Sequence, residues 1–278
     1  MSIDYVLAIP VFNEEKHLDR VLAEAERIGS ALRTQANGPR SGPYILVVDD
    51  GSTDGTPRRL RDHRCAVQPS EVHVITHPEN RGYGKSLADA FAFAQRRAFE
   101  WLITMDCDEQ HEASQIPRFL AAAAEDDADI ISGTRYPHGF DVDASVPADR
   151  REINRLMTAL LNGRLGLNLT DAFCGFKAYR VSALRHLRIT VPGYAMPMQL
   201  WVQAAQAGLR VRELAVPLIY NDPTRHFGGL LDDPAVRLRH YVQVFESELA
   251  ADAVSCPGHP DLLRSNCPSP ERCSTFPS

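Results

Sequence analysis

Trp101-Leu102-Ile103-Thr104-Met105-Asp106-Cys107-Asp108-Glu109-Gln110-His111 decides how the chain is read. The apolar run Trp101–Met105 stops abruptly at two acids one residue apart. A short apolar run bounded by polar residues predicts a buried strand. Open α/β sheets bind ligands beyond the carboxyl ends of their strands. Alternate side chains of an extended backbone point the same way, so Asp106 and Asp108 can reach one point with Gln110 close by. Two carboxylates and an amide oxygen suit a hard divalent cation that arrives with a substrate phosphate. A plainer reading of Asp-x-Asp is a polar strand end followed by a helix cap, and spacing alone does not separate the two.

Working outward, similar runs recur through the first half. Tyr5–Val11 is apolar, turns at Pro10 and meets Asn13, read here as the cap of a helix with Leu18, Val21, Leu22, Ala25 and Ile28 on one face. Tyr44–Val48 ends in Asp49-Asp50-Gly51-Ser52-Thr53-Asp54-Gly55-Thr56, where Ser and Thr suit a second helix cap. Val72–Thr76 is a third strand, followed by a helix from about Lys85 to Phe99. Trp101–Met105 is the fourth strand and Ile130–Ser132 the fifth. This alternation predicts an α/β fold, a mostly parallel sheet with helices on both faces. Four loops should then gather at one edge: Pro10–Glu15, Asp49–Asp54, Arg81–Lys85 and Asp106–His111.

Beyond residue 150 the pattern changes. Arg150–Leu165 reads as an amphipathic helix, Phe176–Tyr179 as a short strand and Met196–Ala207 as a helix. A strand Val211–Leu218 and a final helix Pro234–Leu249 follow. We expect one catalytic domain over residues 1–250 and a flexible Pro/Ser/Cys-rich tail over 251–278. Cys256, His259, Cys267 and Cys273 in that tail match no common zinc spacing.

Composition narrows the function. At 278 residues, 44% hydrophobic and 24% charged, the chain resembles an ordinary soluble globular protein. A net charge of −6 argues against a nucleic-acid partner, which demands a basic face. No stretch approaches the ~20 apolar residues that span a bilayer. Six scattered cysteines without a Cys-x-x-Cys pair fit reduced thiols, hence a cytoplasmic expectation. Gly84-Lys85-Ser86 imitates the end of a phosphate loop, but Glu79 stands where its first glycine belongs. Gly82-x-Gly84 fails as a dinucleotide fingerprint because Leu87 replaces the third glycine.

Taken in order, five motifs resemble family 2 glycosyltransferases with the GT-A (Rossmann-like) fold. They are Ile9-Pro10-Val11-Phe12-Asn13-Glu14-Glu15, Val47–Thr56, Asn80-Arg81-Gly82-x-Gly84-Lys85, Met105–His111, and the pair Gly133-Thr134-Arg135-Tyr136 with Asp171–Lys177. The last ones are similar to the dolichyl-phosphate mannose synthase branch. The resemblance covers roughly residues 3–220.

It implies that Pro10, Phe12, Glu14 and Asp49 hold the base and ribose of a GDP- or UDP-linked sugar. Asp50 and Lys85 would line the nucleotide pocket, and Asp106, Asp108 and Gln110 would hold Mg²⁺ or Mn²⁺ on the diphosphate. Arg135 would meet phosphate during catalysis; Arg150, Arg151 and Arg225 would meet phosphates of the acceptor. For Arg150 and Arg151 a solvated helix face is the competing reading. Metal and arginine would stabilise the leaving diphosphate while the acceptor attacks from the opposite face, inverting the anomeric centre.

The branch also implies a polyprenyl-phosphate acceptor and peripheral contact with the inner membrane face. Ala195-Met196-Pro197-Met198-Gln199 carries no acid where glycan-directed relatives carry a pair, which favours an acceptor that is already anionic. Asp171 is the one nearby acid that could serve as a base and keeps a glycan acceptor open. A non-catalytic sugar-nucleotide-binding protein is the third reading. Two departures weaken the acceptor side: Asn154 stands where the branch has Ser, and the late loop runs Arg225-His226-Phe227-Gly228-Gly229-Leu230.

Overall fold

The computed structural model describes residues 3–35, 44–66, 72–140, 146–220 and 229–255. Seven strands form one sheet: β1 (Tyr5–Val11), β2 (Tyr44–Asp49), β3 (Val72–Thr76), β4 (Trp101–Thr104), β5 (Ile130–Thr134), β6 (Lys177–Arg180) and β7 (Val211–Ala215), in the order β3-β2-β1-β4-β6-β5-β7. Pairings are parallel except for β6, which runs antiparallel to both β4 and β5.

Burial on both faces explains the continuous apolar runs. In β1, Val6 and Ala8 face one core while Tyr5, Leu7, Ile9 and Val11 face the other. Leu46 and Val48 of β2 join the first core, and Ile45 and Val47 the second. Parallel strands covered by helices on both sides read as unbroken hydrophobic stretches for this reason. The second core is covered by α1 (Leu18–Gln35) and α4 (Ile116–Ala124), through Leu18, Leu22, Ile116 and Phe119. The first is covered by α3 (Tyr83–Arg96), α5 (Ala148–Leu165), α6 (Met196–Gln206) and α7 (Pro234–Ser255), through Phe91, Met157, Trp201 and Phe245. The remaining helix, α2, spans Thr56–Ala66.

Several expected boundaries shift. Tyr83, not Lys85, opens α3, because Gly82 at φ 95° turns the chain directly into it. β7 ends at Ala215, three residues before Leu218. The last helix continues to Ser255, overrunning the tail boundary expected at 250; the Cys/His positions 256–273 lie outside the described residues. Among the described residues no helix is long and apolar enough to cross a membrane.

Insertion of β6 positions the site. Because β6 is antiparallel, its amino end meets the carboxyl ends of its neighbours, with Thr104 opposite Lys177 and Ser132 opposite Lys177. The loop before β6 therefore arrives at the same sheet edge as the loops after β1, β2, β4 and β5.

Candidate active site

A cavity of about 550 Å³ opens at that edge. The expected residues Pro10, Phe12, Glu14, Asp50, Asp106, Asp108, Gln110, Arg135 and Arg150 all line it. Asp49, Lys85, Arg151 and Asp171 are not among its lining, and Arg225 lies outside the described residues.

The loop after β1 does not use Asn13 as a helix cap. Asn13 sits at φ 57°, and its side-chain oxygen accepts the backbone N–H groups of Thr53 at 2.8 Å and Asp54 at 3.3 Å. Its own N–H donates to Ser52 Oγ at 2.9 Å, so it staples the first two loops together. A short polar side chain that tolerates the left-handed region suits this place. Phe12 is left 42% exposed at the cavity.

The two acids of the second loop divide their labour. Asp49 is buried; one oxygen accepts the Ser52 N–H at 3.0 Å and Oδ2 has no partner. Asp50 accepts the N–H groups of Arg81 at 2.9 Å and Gly82 at 2.8 Å, fixing the third loop. Buried His77 lies between Asp50 at 2.6 Å and Asp89 at 2.8 Å. Lys85 pairs with that same Asp89 through its ammonium group. Lys85, expected to line the nucleotide pocket, is not among the residues lining the cavity; its ammonium group pairs with Asp89, one turn on in α3.

The expected metal motif follows β4. Tyr83 donates its hydroxyl to Asp106 Oδ1 at 3.0 Å, and the Asp106 N–H donates to His111 Nδ1 at 3.1 Å. Asp106 Oδ2 packs against Gly175, where any Cβ would overlap it. Asp108 accepts the Gln110 N–H at 3.1 Å, a turn made possible by Glu109 at φ 59°. Glu109 is anchored by Arg20 of α1 at 3.2 Å and by His17, just before that helix, at 3.6 Å. Two carboxylates, an amide and space kept clear by a glycine fit a magnesium-like cation, which takes few protein ligands and completes its shell with water and phosphate.

Arg135 and Asp171 form the opposite wall. Fully buried Asp171 accepts Arg135 Nε at 2.7 Å, Arg135 Nη2 at 3.0 Å, Asn154 Nδ2 at 2.8 Å and the Phe173 N–H at 3.1 Å. Burial alone would raise its pKa, but the Arg135 charge and these donors outweigh that and bring it down to about 2. The same exchange pushes the Arg135 guanidinium above its ordinary range, the Asp171 charge outweighing desolvation. The expectation that Asp171 could act as a base is corrected on this ground. Its carboxylate is taken up by Arg135, Asn154 and two backbone N–H groups, an arrangement that fixes the Arg135 and Asn154 side chains.

Arg150 lines the cavity with its guanidinium 5.6 Å from the Tyr220 ring. The sequence did not single out Arg237, Tyr83 or His77. Arg237, on α7, is buried and lines the cavity while bonded to Asp149 at 2.5 Å and the Leu231 carbonyl at 2.7 Å. Only its place in an expected helix, between Val236 and Leu238, was visible, which does not separate a site residue from a solvated face.

Comparison with known proteins agrees with this geometry. The sequence model described as "Glycosyl transferase family 2" matches residues 6–188. An undecaprenyl-phosphate mannosyltransferase of Micrococcus luteus is 31% identical over 238 residues, 84% of this chain and 91% of that protein. A polyprenol monophosphomannose synthase of Mycolicibacterium smegmatis is 28% identical over 220 residues, 78% of this chain and 77% of that protein. The fold is that of a solved glucosyl-3-phosphoglycerate synthase from Mycobacterium tuberculosis in complex with Mn²⁺, UDP and glucosyl-3-phosphoglycerate. Its TM-score is 0.61 at 18% identity, over 89% of this chain and 80% of that one. The sheet is thus a GT-A sheet, and the chain belongs to glycosyl transferase family 2 as a nucleotide-sugar-dependent glycosyltransferase.

Proposed function

We propose that this chain moves a sugar, with inversion, from a nucleotide sugar to a polyprenyl phosphate, using Mg²⁺ or Mn²⁺. One observation carries the acceptor assignment: the cavity is divided by charge. Glu14, Asp50, Asp106 and Asp108 line the side built by the loops after β1, β2 and β4. The side built by α5, α7 and the loops around β5–β7 presents Arg135, Arg150 and Arg237 and, among the described lining residues, no carboxylate. A hydroxyl acceptor needs a base within hydrogen-bond reach. A phosphate monoester is largely ionised at neutral pH, needs no base, and pairs with arginine. Val146, Ile153, Phe173, Leu218 and Tyr241 line the same cavity as those arginines and suit the first isoprene units of such an acceptor.

On the donor side, Asp49 Oδ2 is a buried acceptor without a partner, suited to an N–H of a nucleobase, with Phe12 and Pro10 beside the base and Glu14 near the ribose. Asp106, Asp108 and Gln110 would hold the cation, which when bound supplies Lewis-acid stabilisation to the leaving diphosphate. Arg135, aimed by Asp171, adds a fixed positive charge at the same leaving group. The undecaprenyl phosphate in the name of the first relative and the polyprenol monophosphomannose in the name of the second support the same reading. Because that acceptor lives in a bilayer, the protein would work peripherally at the cytoplasmic membrane face, where exposed Leu156 on α5 and Leu230 before α7 would rest.

The test is a transfer assay with GDP- and UDP-linked sugars, polyprenyl phosphate in detergent, and Mn²⁺. Sugar appearing on the lipid in a metal-dependent manner is the expected result. Inert polyprenyl phosphate beside a glycosylated free oligosaccharide would overturn the acceptor assignment.

A further inference from the structure

From the geometry around Asp106 we infer that Tyr83 is a positioning residue for the metal site, and that its ring ties that site to the acceptor-side segment at Tyr194. The inference rests on the reading that Asp106 and Asp108 hold a divalent cation.

Three contacts fix Asp106. Its backbone N–H is held by His111 Nδ1 at 3.1 Å, its Oδ2 lies against the bare backbone of Gly175, and its Oδ1 accepts the Tyr83 hydroxyl at 3.0 Å. The first two set where the residue sits and what room it has. The third is the direct hydrogen bond to the carboxylate and, with His111 Nδ1 3.7 Å from Oδ2, sets the rotation that decides which lone pairs face a cation between Asp106 and Asp108. Outer partners that orient a metal ligand in this way typically matter by about tenfold or more in metal affinity.

Tyr83 is itself held firmly. It is the first residue of α3, and the next two N–H groups, of Gly84 and Lys85, donate to the Pro192 carbonyl at 2.6 and 3.3 Å. A Cβ at Gly84 would strike the Val191 carbonyl and one at Gly82 the Pro192 carbonyl, so two glycines permit this close docking. Two residues further along that segment, the Tyr194 ring stacks on Tyr83 with centroids 6.0 Å apart and planes 21° apart. Both rings line the cavity, Tyr83 bonded to Asp106 and Tyr194 near Tyr241. A shift of residues 191–194 when an acceptor arrives would therefore move the hydroxyl that orients Asp106.

The experiment measures Mn²⁺ binding by electron paramagnetic resonance of the free ion, with UDP and with GDP, for the wild type, Tyr83→Phe and Asp108→Asn. Tyr83→Phe removes one oxygen and keeps the ring stack. We expect Mn²⁺ affinity to fall about tenfold in Tyr83→Phe, with the metal-free melting temperature unchanged and the transfer rate restored by excess Mn²⁺. Asp108→Asn should lose Mn²⁺ binding altogether. Wild-type Mn²⁺ affinity in Tyr83→Phe, alongside loss in Asp108→Asn, would overturn the role of Tyr83 and leave the metal site standing. A wild-type protein that binds no Mn²⁺ with either nucleotide would overturn both.

Discussion

Asp171 meets Arg135 through two parallel hydrogen bonds, 2.7 Å to Nε and 3.0 Å to Nη2, and the acid has no exposure to solvent. The pair joins the end of β5 to the loop before β6, elements that approach only because β6 is inserted antiparallel. Arg135 reaches the cavity; Asp171 supplies the counter-charge from behind it. Removing one member of such a pair leaves an uncompensated buried charge, which typically costs about 3–5 kcal/mol.

Asp171→Asn should therefore lower the melting temperature by roughly 10 °C, since each kcal/mol moves a domain of this size by about 2–4 °C. Arg135→Lys keeps the charge but loses the fork and should cost less stability while slowing transfer at least tenfold. Thermal unfolding and initial rates measured together check both. An Asp171→Asn protein of wild-type stability would contradict the pairing.

Acid should act through the same pair. The folded carboxyl titrates at about 2 against an ordinary 3.8. The unfolded chain thus takes up this proton first as pH falls. The pair's contribution is complete above about pH 4 and disappears as pH drops toward 2, amounting to ~2 kcal/mol. Urea unfolding of the wild type should show that loss, and Asp171→Asn should lack it. Equal pH slopes in the two proteins would rule it out.

The proposed donor half was legible because its residues are local. Trp101–Thr104 followed by Asp106 and Asp108 forms the strand and the loop proposed to hold metal within eleven residues, and strand–helix alternation placed β1 to β4. The direction of β6 was not legible, since the apolar pattern of a short run is the same read either way. Arg237 escaped for a related reason: its place is set by Asp149, 88 residues away. Asn13 misled, because a capping residue and a loop staple use the same side-chain oxygen and only the partner, here Thr53, distinguishes them.

Gly175 offers a direct test of the space beside the acids proposed to hold metal. A methyl group there would overlap Asp106 Oδ2 and the neighbouring carboxylate carbon at 2.9 Å. Gly175→Ala should displace Asp106 and reduce transfer by about tenfold or more, as loss of ligand orientation does. Binding of UDP or GDP without metal should stay within about twofold. Nucleotide titrations with and without Mn²⁺ separate the two effects, and a fully active Gly175→Ala protein would refute the cradle.

His77 carries the last prediction. Its ring bridges Asp50 at 2.6 Å and Asp89 at 2.8 Å, and it is buried. Asp50 in turn holds the N–H groups of Arg81 and Gly82, which set where α3 begins and therefore where Tyr83 stands. Deleting the imidazole leaves two carboxylates facing a gap, a buried loss of about 2–4 kcal/mol. The loop loosens with it. His77→Ala should therefore lower the melting temperature and raise the KM for the nucleotide sugar several-fold, while the KM for the acceptor changes little. Structural weakening alone would reduce the amount of active enzyme and leave both KM values where they are. A His77→Ala enzyme with a lower melting temperature and an unchanged donor KM would show that the Asp50 anchor holds the loop without it.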